Sequence, residues 1–195
     1  RPFEKLAKDH KLAKKQKVAG KIEVTLQKEA KPAFNVLGRL KSKVPDSEKL
    51  PGVIVIGAHY DHLGMGGHGS LTPGEEAVHP GADDNASGVA SMLESARILK
   101  DVQGIPRDIV FAAFSGEERG VLGSSFFTKN PLPGLAPADV FAMINLDMVG
   151  FPLSVNSLGY DDLLPLLERY NASLGEHKLK QGVGNINWFG SDHTP

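Results

Sequence analysis

Three runs of apolar, largely β-branched or aromatic residues set the folding problem for this chain: "GVIVIGAH" (52–59), "DIVFAAFS" (108–115) and "VFAMINLDM" (140–148). They do not alternate apolar with polar, and such runs fit strands covered on both faces. Segments with helical spacing accompany them. "NASGVASMLESARILK" (85–100) places Val89, Met92, Leu93, Ala96 and Leu99 along one side of a helix. "EERGVLGSSFFTK" (117–129) predicts a shorter helix. "DDLLPLLERYNASLG" (161–175) predicts another, with Pro165 near its first turn and Gly175 past its end. Covered strands alternating with helices predict a layered α/β sandwich.

The first fifty residues read differently. Phe3, Leu6, Ala7 and Leu12 give residues 3–15 the face of a short amphipathic helix. "KIEVTLQKE" (21–29) and "AFNVLGRLK" (33–41) read as two neighbouring strands at the sheet's edge, and "SKVPDSEKLPG" (42–52) as a loop. Residues 1–19 are therefore expected to form a lead-in helix or linker, and residues 20–195 the main domain. This stretch is basic, with 14 Lys and Arg against 6 Asp and Glu in residues 1–50. Its lysines are scattered through helix and strand patterns without interleaved aromatics, which argues against a nucleic-acid surface. No apolar run approaches the roughly 18 residues of a membrane-spanning helix. Cysteine is absent, which excludes disulfides, thiolate metal sites and cysteine nucleophiles. Any metal must sit on His, Asp and Glu.

Ionisable residues follow each apolar run at once: His59-Tyr60-Asp61, Glu117-Glu118 and Asp147, while Asp83-Asp84 precede the helix at 85 and Asp192-His193 lie on a late Gly-bearing loop. In α/β sheets, ligands gather beyond the carboxyl ends of strands, so these residues can meet. Taken singly, each has a plain structural explanation. Asp84 would cap a helix, His59 would hydrogen-bond at a strand end, and the glutamates would face solvent at a helix start. Asp147 is the exception. Set between "MINL" and "MVG", it is expected to be buried, and a buried carboxylate needs a partner. Two histidines with several carboxylates suit zinc or a similar divalent ion, and the surplus of carboxylates suits a bridged pair.

The motifs "GAHYDH", "PGADDNASG", "AFSGEERGVLGS", "INLDMVG" and "GSDH", in this order, resemble the zinc aminopeptidases of the M28 peptidase family. The resemblance spans about residues 20–195. It implies a three-layer α/β/α sandwich with a mixed, mostly parallel central sheet, of the zinc exopeptidase type. It also implies two zinc ions per chain. His59 and Asp147 would bind one ion, Glu118 and His193 the other, with Asp84 bridging them. Asp61 would orient the His59 imidazole, and Glu117 would be the general base. A cis peptide bond between Asp84 and Asn85 is expected on the same ground. The implied reaction is hydrolysis at the free N-terminus of a peptide. Export from the cell, secreted or periplasmic, is implied too, as is a catalytic domain that continues past Pro195. Tyr60 and Trp188 are candidates for touching substrate. Asp83 and Asp192 are expected to be structural. His62, His68 and His79 are expected to be ordinary loop histidines.

Two other functions fit the same fold. Glutaminyl cyclases keep similar "HYD" and "GEE" motifs and work with one zinc. A non-catalytic ectodomain would keep the fold alone, and would be marked by a lost ligand or a lost Glu117. Neither is missing, and the full set of His59, Asp84, Glu118, Asp147 and His193 favours two ions and hydrolysis.

Overall fold

The computed structural model describes residues 23–25, 30–67, 69–150, 164–177 and 190–194. The chain divides into two compact units, Arg1–Pro32 and Ala33–Pro195. In the first, the helix expected over 3–15 lies outside the described residues. Of the strand expected over 21–29, residues 23–25 are described. They are exposed and form no strand.

In the second unit, the three apolar runs form β2 (Val53–His59), β3 (Asp108–Phe114) and β4 (Val140–Asn145), and Val36–Leu40 forms β1. The sheet order is β1-β3-β2-β4. β2 runs parallel to both β3 and β4, and β1 is antiparallel to β3 at the edge. This is the mixed, mostly parallel sheet anticipated. β1 is fixed in register by Arg39 Nε on Asp108 Oδ2 at 2.7 Å, and the next residues by the Ser42 amide on Asp108 Oδ1 at 2.8 Å.

Two helices cover the sheet, α1 (Gly88–Leu99) and α2 (Leu122–Lys129); a third, α3 (Leu164–Ser173), follows later in the chain. Strand side chains alternate between faces, and the core divides accordingly. Val53, Val55, Val110, Ala112 and Phe114 pack with Phe127 of α2 and with Leu135. Ile56, Ala58, Ile109 and Ala113 pack with Met92 of α1. One helix on each face gives the three layers. Phe114 is fully buried, its ring 5.8 Å from that of Phe127.

Both helices next to the charged motifs start later than their periodicity predicts. Residues 117–129 are not one helix. Glu117–Arg119 make a single tight turn, then Gly120 (φ 98°) and Val121 (φ 48°) adopt left-handed backbone before α2 begins. That break swings the glutamates off the helix. Likewise Ala82–Ser87 form a wide turn in which Asp84 and Asn85 leave helical φ/ψ, and the peptide bond between them is cis, as expected.

Candidate metal centre

β2, β3 and β4 end side by side, and their carboxyl ends deliver His59, Glu117 and Asp147 to one place. Asn85 brings the fourth group. Buried to 2% exposure, it donates from Nδ2 to the Leu146 carbonyl at 2.9 Å, and its Oδ1 accepts from the amides of Gly88 (3.0 Å) and Met148 (3.3 Å). This clamps the 82–87 turn to the end of β4 and sets Asp84 opposite Asp147. Asp83 is structural as expected, its Oδ1 accepting the Gly150 amide at 2.8 Å.

His59 is 1% exposed, and its Nε2 lies 3.2 Å from Asp84 Oδ1, 3.5 Å from Asp147 Oδ1 and 4.0 Å from Glu117 Oε2. Its other nitrogen, Nδ1, faces the Asp61 backbone carbonyl at 3.1 Å, while the Asp61 carboxylate stands at 3.8 Å. That carboxylate instead accepts the backbone amides of Glu117 (3.0 Å) and Glu118 (3.3 Å). Asp61 thus holds the imidazole through its main chain and the glutamate turn through its side chain. Asp147, expected to be buried, is only half-buried, yet it is well partnered: besides His59, the Ser191 hydroxyl donates to Oδ2 at 2.7 Å, and Asn145 Nδ2 donates to that hydroxyl at 2.7 Å.

The electrostatics of the cluster set crowded carboxylates against one imidazole. Burial first, then the charges of Asp192, Asp147 and Glu118, outweigh His59 and push the Glu117 carboxyl up to about 7. Burial, Glu118 and Asp147 likewise raise Asp84 against the pull of His59 and His62. Burial opposes charge on His59, but Asp147, Glu117 and the Asp61 carbonyl prevail and lift it to about 9. Burial also opposes charge on Asp147, yet His59, Ser191 and His193 hold its pKa below the usual value. Carboxylates this close repel one another unless positive charge lies between them.

Two groups of donors lie close enough to share ions: His59, Asp84 and Asp147 in one, His62, Asp84 and Glu118 in the other. Asp84 belongs to both. Zinc accepts nitrogen and carboxylate donors of this kind, so the residues present fit it. His193 joins neither group among the described residues. It is exposed on the 190–194 loop, acting on Asp147 through its charge. Beside Glu118 stands His62, half-buried, its Nδ1 2.7 Å from Glu118 Oε1. The expectation of an ordinary loop histidine is corrected here: the turn at Gly81 and the glutamate turn close on it from both sides, which no single motif reveals. Asn85 and Ser191 were also missed. The neutrality of both residues hid them, though each stands within a charged motif.

Asp192 is buried to 2% exposure, and among the described residues neither of its oxygens finds a donor, the nearby Ser124 hydroxyl being turned to the Val121 carbonyl at 3.2 Å. Burial raises its pKa. The Tyr60 hydroxyl donates to the Phe34 carbonyl at 2.6 Å, and Trp188 and His68 lie outside the described residues.

A parallel-centred sheet with a histidine–carboxylate cluster at its carboxyl edge makes a site of the kind that could hold metal ions. The model of peptidase family M28 matches residues 35–195, and the chain belongs to that family. It is 38% identical over 117 residues to Aminopeptidase YwaD of Bacillus subtilis, covering 60% of this chain and 22% of that protein. Among solved structures, it resembles BSAP, a zinc aminopeptidase from Bacillus subtilis, with a TM-score of 0.58 and 30% identity, over 82% of this chain and 36% of the other. Porphyromonas gingivalis glutaminyl cyclase is similar too, with a TM-score of 0.60 and 25% identity, over 82% of this chain and 57% of that one. The chain thus spans about a quarter of the length of the curated relatives it matches.

Proposed function

We propose that this chain carries the catalytic centre of an exported aminopeptidase that binds two zinc ions and removes residues from the free N-terminus of a peptide. The observation that carries the proposal is the placement of Asp84, whose Oδ1 faces His59 at 3.2 Å and whose Oδ2 faces the Glu118 and His62 side, 3.9 Å from His62 Nδ1. One carboxylate between two donor groups is what a shared pair of ions requires. In this reading His59, Asp84 and Asp147 hold one ion, and Asp84 and Glu118 the other; His193, which stands outside both groups in this structure, would complete the second set as the family resemblance implies.

When bound, the ions polarise a carbonyl and make water more acidic. The protein's part is proton handling and orientation. Glu117 sits behind the cluster on a turn fixed by Asp61, half-buried, with its carboxyl free of any structural hydrogen bond among those described. It takes the proton of the attacking water and returns it to the leaving amine. Asp61 and Ser191 keep the glutamate turn and Asp147 from drifting as charge develops.

The likeness to glutaminyl cyclase supports a second reading, a one-ion acyl transfer that closes an N-terminal glutamine. Aminoacyl chromogenic substrates, offered to the full chain with free and with acetylated amines, separate the two. The aminopeptidase reading expects turnover of the free-amine forms alone, lost with chelator and restored by zinc. Turnover that survives chelation, equal cleavage of acetylated forms, or glutamine cyclisation without hydrolysis would each defeat it.

A further inference from the structure

His62 is seated more firmly than an unassigned histidine needs to be. A Cβ on Gly81 would stand 3.0 Å from its Cγ and Cδ2, so the ring lies flush against that backbone. Its edge meets His79 at a centroid distance of 6.1 Å and an angle of 66°. His79 is itself held, its amide donating to the Gly64 carbonyl at 2.7 Å and its Nε2 3.3 Å from Ser70 Oγ. The remaining side of the ring is the contact between Nδ1 and Glu118 Oε1, at 2.7 Å.

That distance separates two roles. Donors bound tetrahedrally to one zinc at about 2.0–2.1 Å stand roughly 3.3–3.4 Å apart. His59 Nε2 keeps such spacing from Asp84 and Asp147, at 3.2 and 3.5 Å. A separation of 2.7 Å is that of a charge-assisted hydrogen bond. An ionised carboxylate only accepts, so Nδ1 must carry the hydrogen. We propose that His62 is a positioning residue: it donates from Nδ1–H to Glu118 Oε1, fixes the carboxylate plane, and leaves Oε2 to bind the second ion. This rests on the two-ion reading above. Partners of this kind sharpen a ligand's orientation without touching the metal.

The test compares zinc bound by the full chain, its His62→Ala variant and its His62→Asn variant, by metal content and by competition with a chelator. Asparagine can place a side-chain N–H close to where Nδ1 stands, without an imidazole. The expected result is two ions in the parent and an affinity about 10–100-fold weaker at one site in His62→Ala. In His62→Asn most of that affinity should return. The other site, unchanged in all three, reports that the fold is intact. If His62→Ala binds both ions as the parent does, the inference fails while the two-ion reading stands. If His62→Asn is as weak as His62→Ala, His62 is a ligand and the positioning role is overturned. A parent that holds one ion defeats the two-ion reading and this inference together.

Discussion

Glu117 and Glu118 are adjacent and of one chemical type, yet the backbone gives them different neighbours. Glu117 Oε2 looks toward His59 at 4.0 Å, and Glu118 Oε1 toward His62 at 2.7 Å. They should therefore fail differently. Glu117→Gln keeps size and polarity but cannot accept a proton, so kcat should drop roughly 10²–10⁴-fold with metal content barely changed. Glu118→Gln removes an anionic donor, so zinc per chain should fall and melting temperature with it. Turnover and metal content of both variants check this. Zinc lost from Glu117→Gln and retained by Glu118→Gln would reverse the assignment. Two glutamates that merely face solvent would leave both variants fully active.

At the scale of elements, α1 and the 82–87 turn meet β4 through one small residue. A Cβ on Gly88 would collide with the Leu146 carbonyl and the Asn85 side chain. Two effects of Gly88→Ala compete. Helix propensity gains about 1 kcal/mol from the change, while overpacking against backbone costs about 1–3 kcal/mol. The Leu146 carbonyl already accepts from Asn85 at 2.9 Å and cannot retreat freely, so the variant should be less stable and bind less zinc. Urea unfolding of the metal-free variant reads the sign, and a gain in stability would show that the clamp yields. The same region marks how far sequence alone reaches. β2, β3 and β4 were legible because unbroken apolar runs leave little else to do. The body of α1 was legible because Val89, Met92 and Leu99 repeat along one face. The starts of α1 and α2 were not, because periodicity continues through residues whose backbone is redirected by contacts distant in sequence. Asn85 reaches Leu146, and Asp61 reaches the amides of Glu117 and Glu118. His59, Asp84, Glu117, Glu118 and Asp147 were found through motifs and do converge. His62 could be found only once Gly81 and Glu118 were placed beside it.

For the whole molecule, the crowded carboxylates and imidazole make stability depend on pH and on metal. His59 is raised from 6.5 to about 9, so its contribution is full below 6.5 and is lost as pH rises to about 9. Glu117 is raised from 4.5 to about 7, so the folded chain keeps a proton that the unfolded chain has released across that window. In both cases the folded form binds more protons, and stability falls as pH rises from about 4.5 to about 9. Asp147, with a lowered pKa, acts oppositely, but its contribution is lost only as pH falls below the ordinary carboxylate range. Calorimetry of the chelator-treated chain should thus show a melting temperature that declines from pH 5 toward pH 9, with the gain on adding zinc largest at the alkaline end. A metal-free chain that grows more stable over that range would contradict this account. The hydrogen bonds around the cluster carry one more consequence. Both oxygens of Asp61 are taken by backbone amides, one of Asp147 by Ser191 and one of Glu118 by His62. Asp147 and Glu118 are thus each tethered by one oxygen while the other is left over, so their carboxylates are set in place before any ion arrives, and filling the cluster need not first order these side chains.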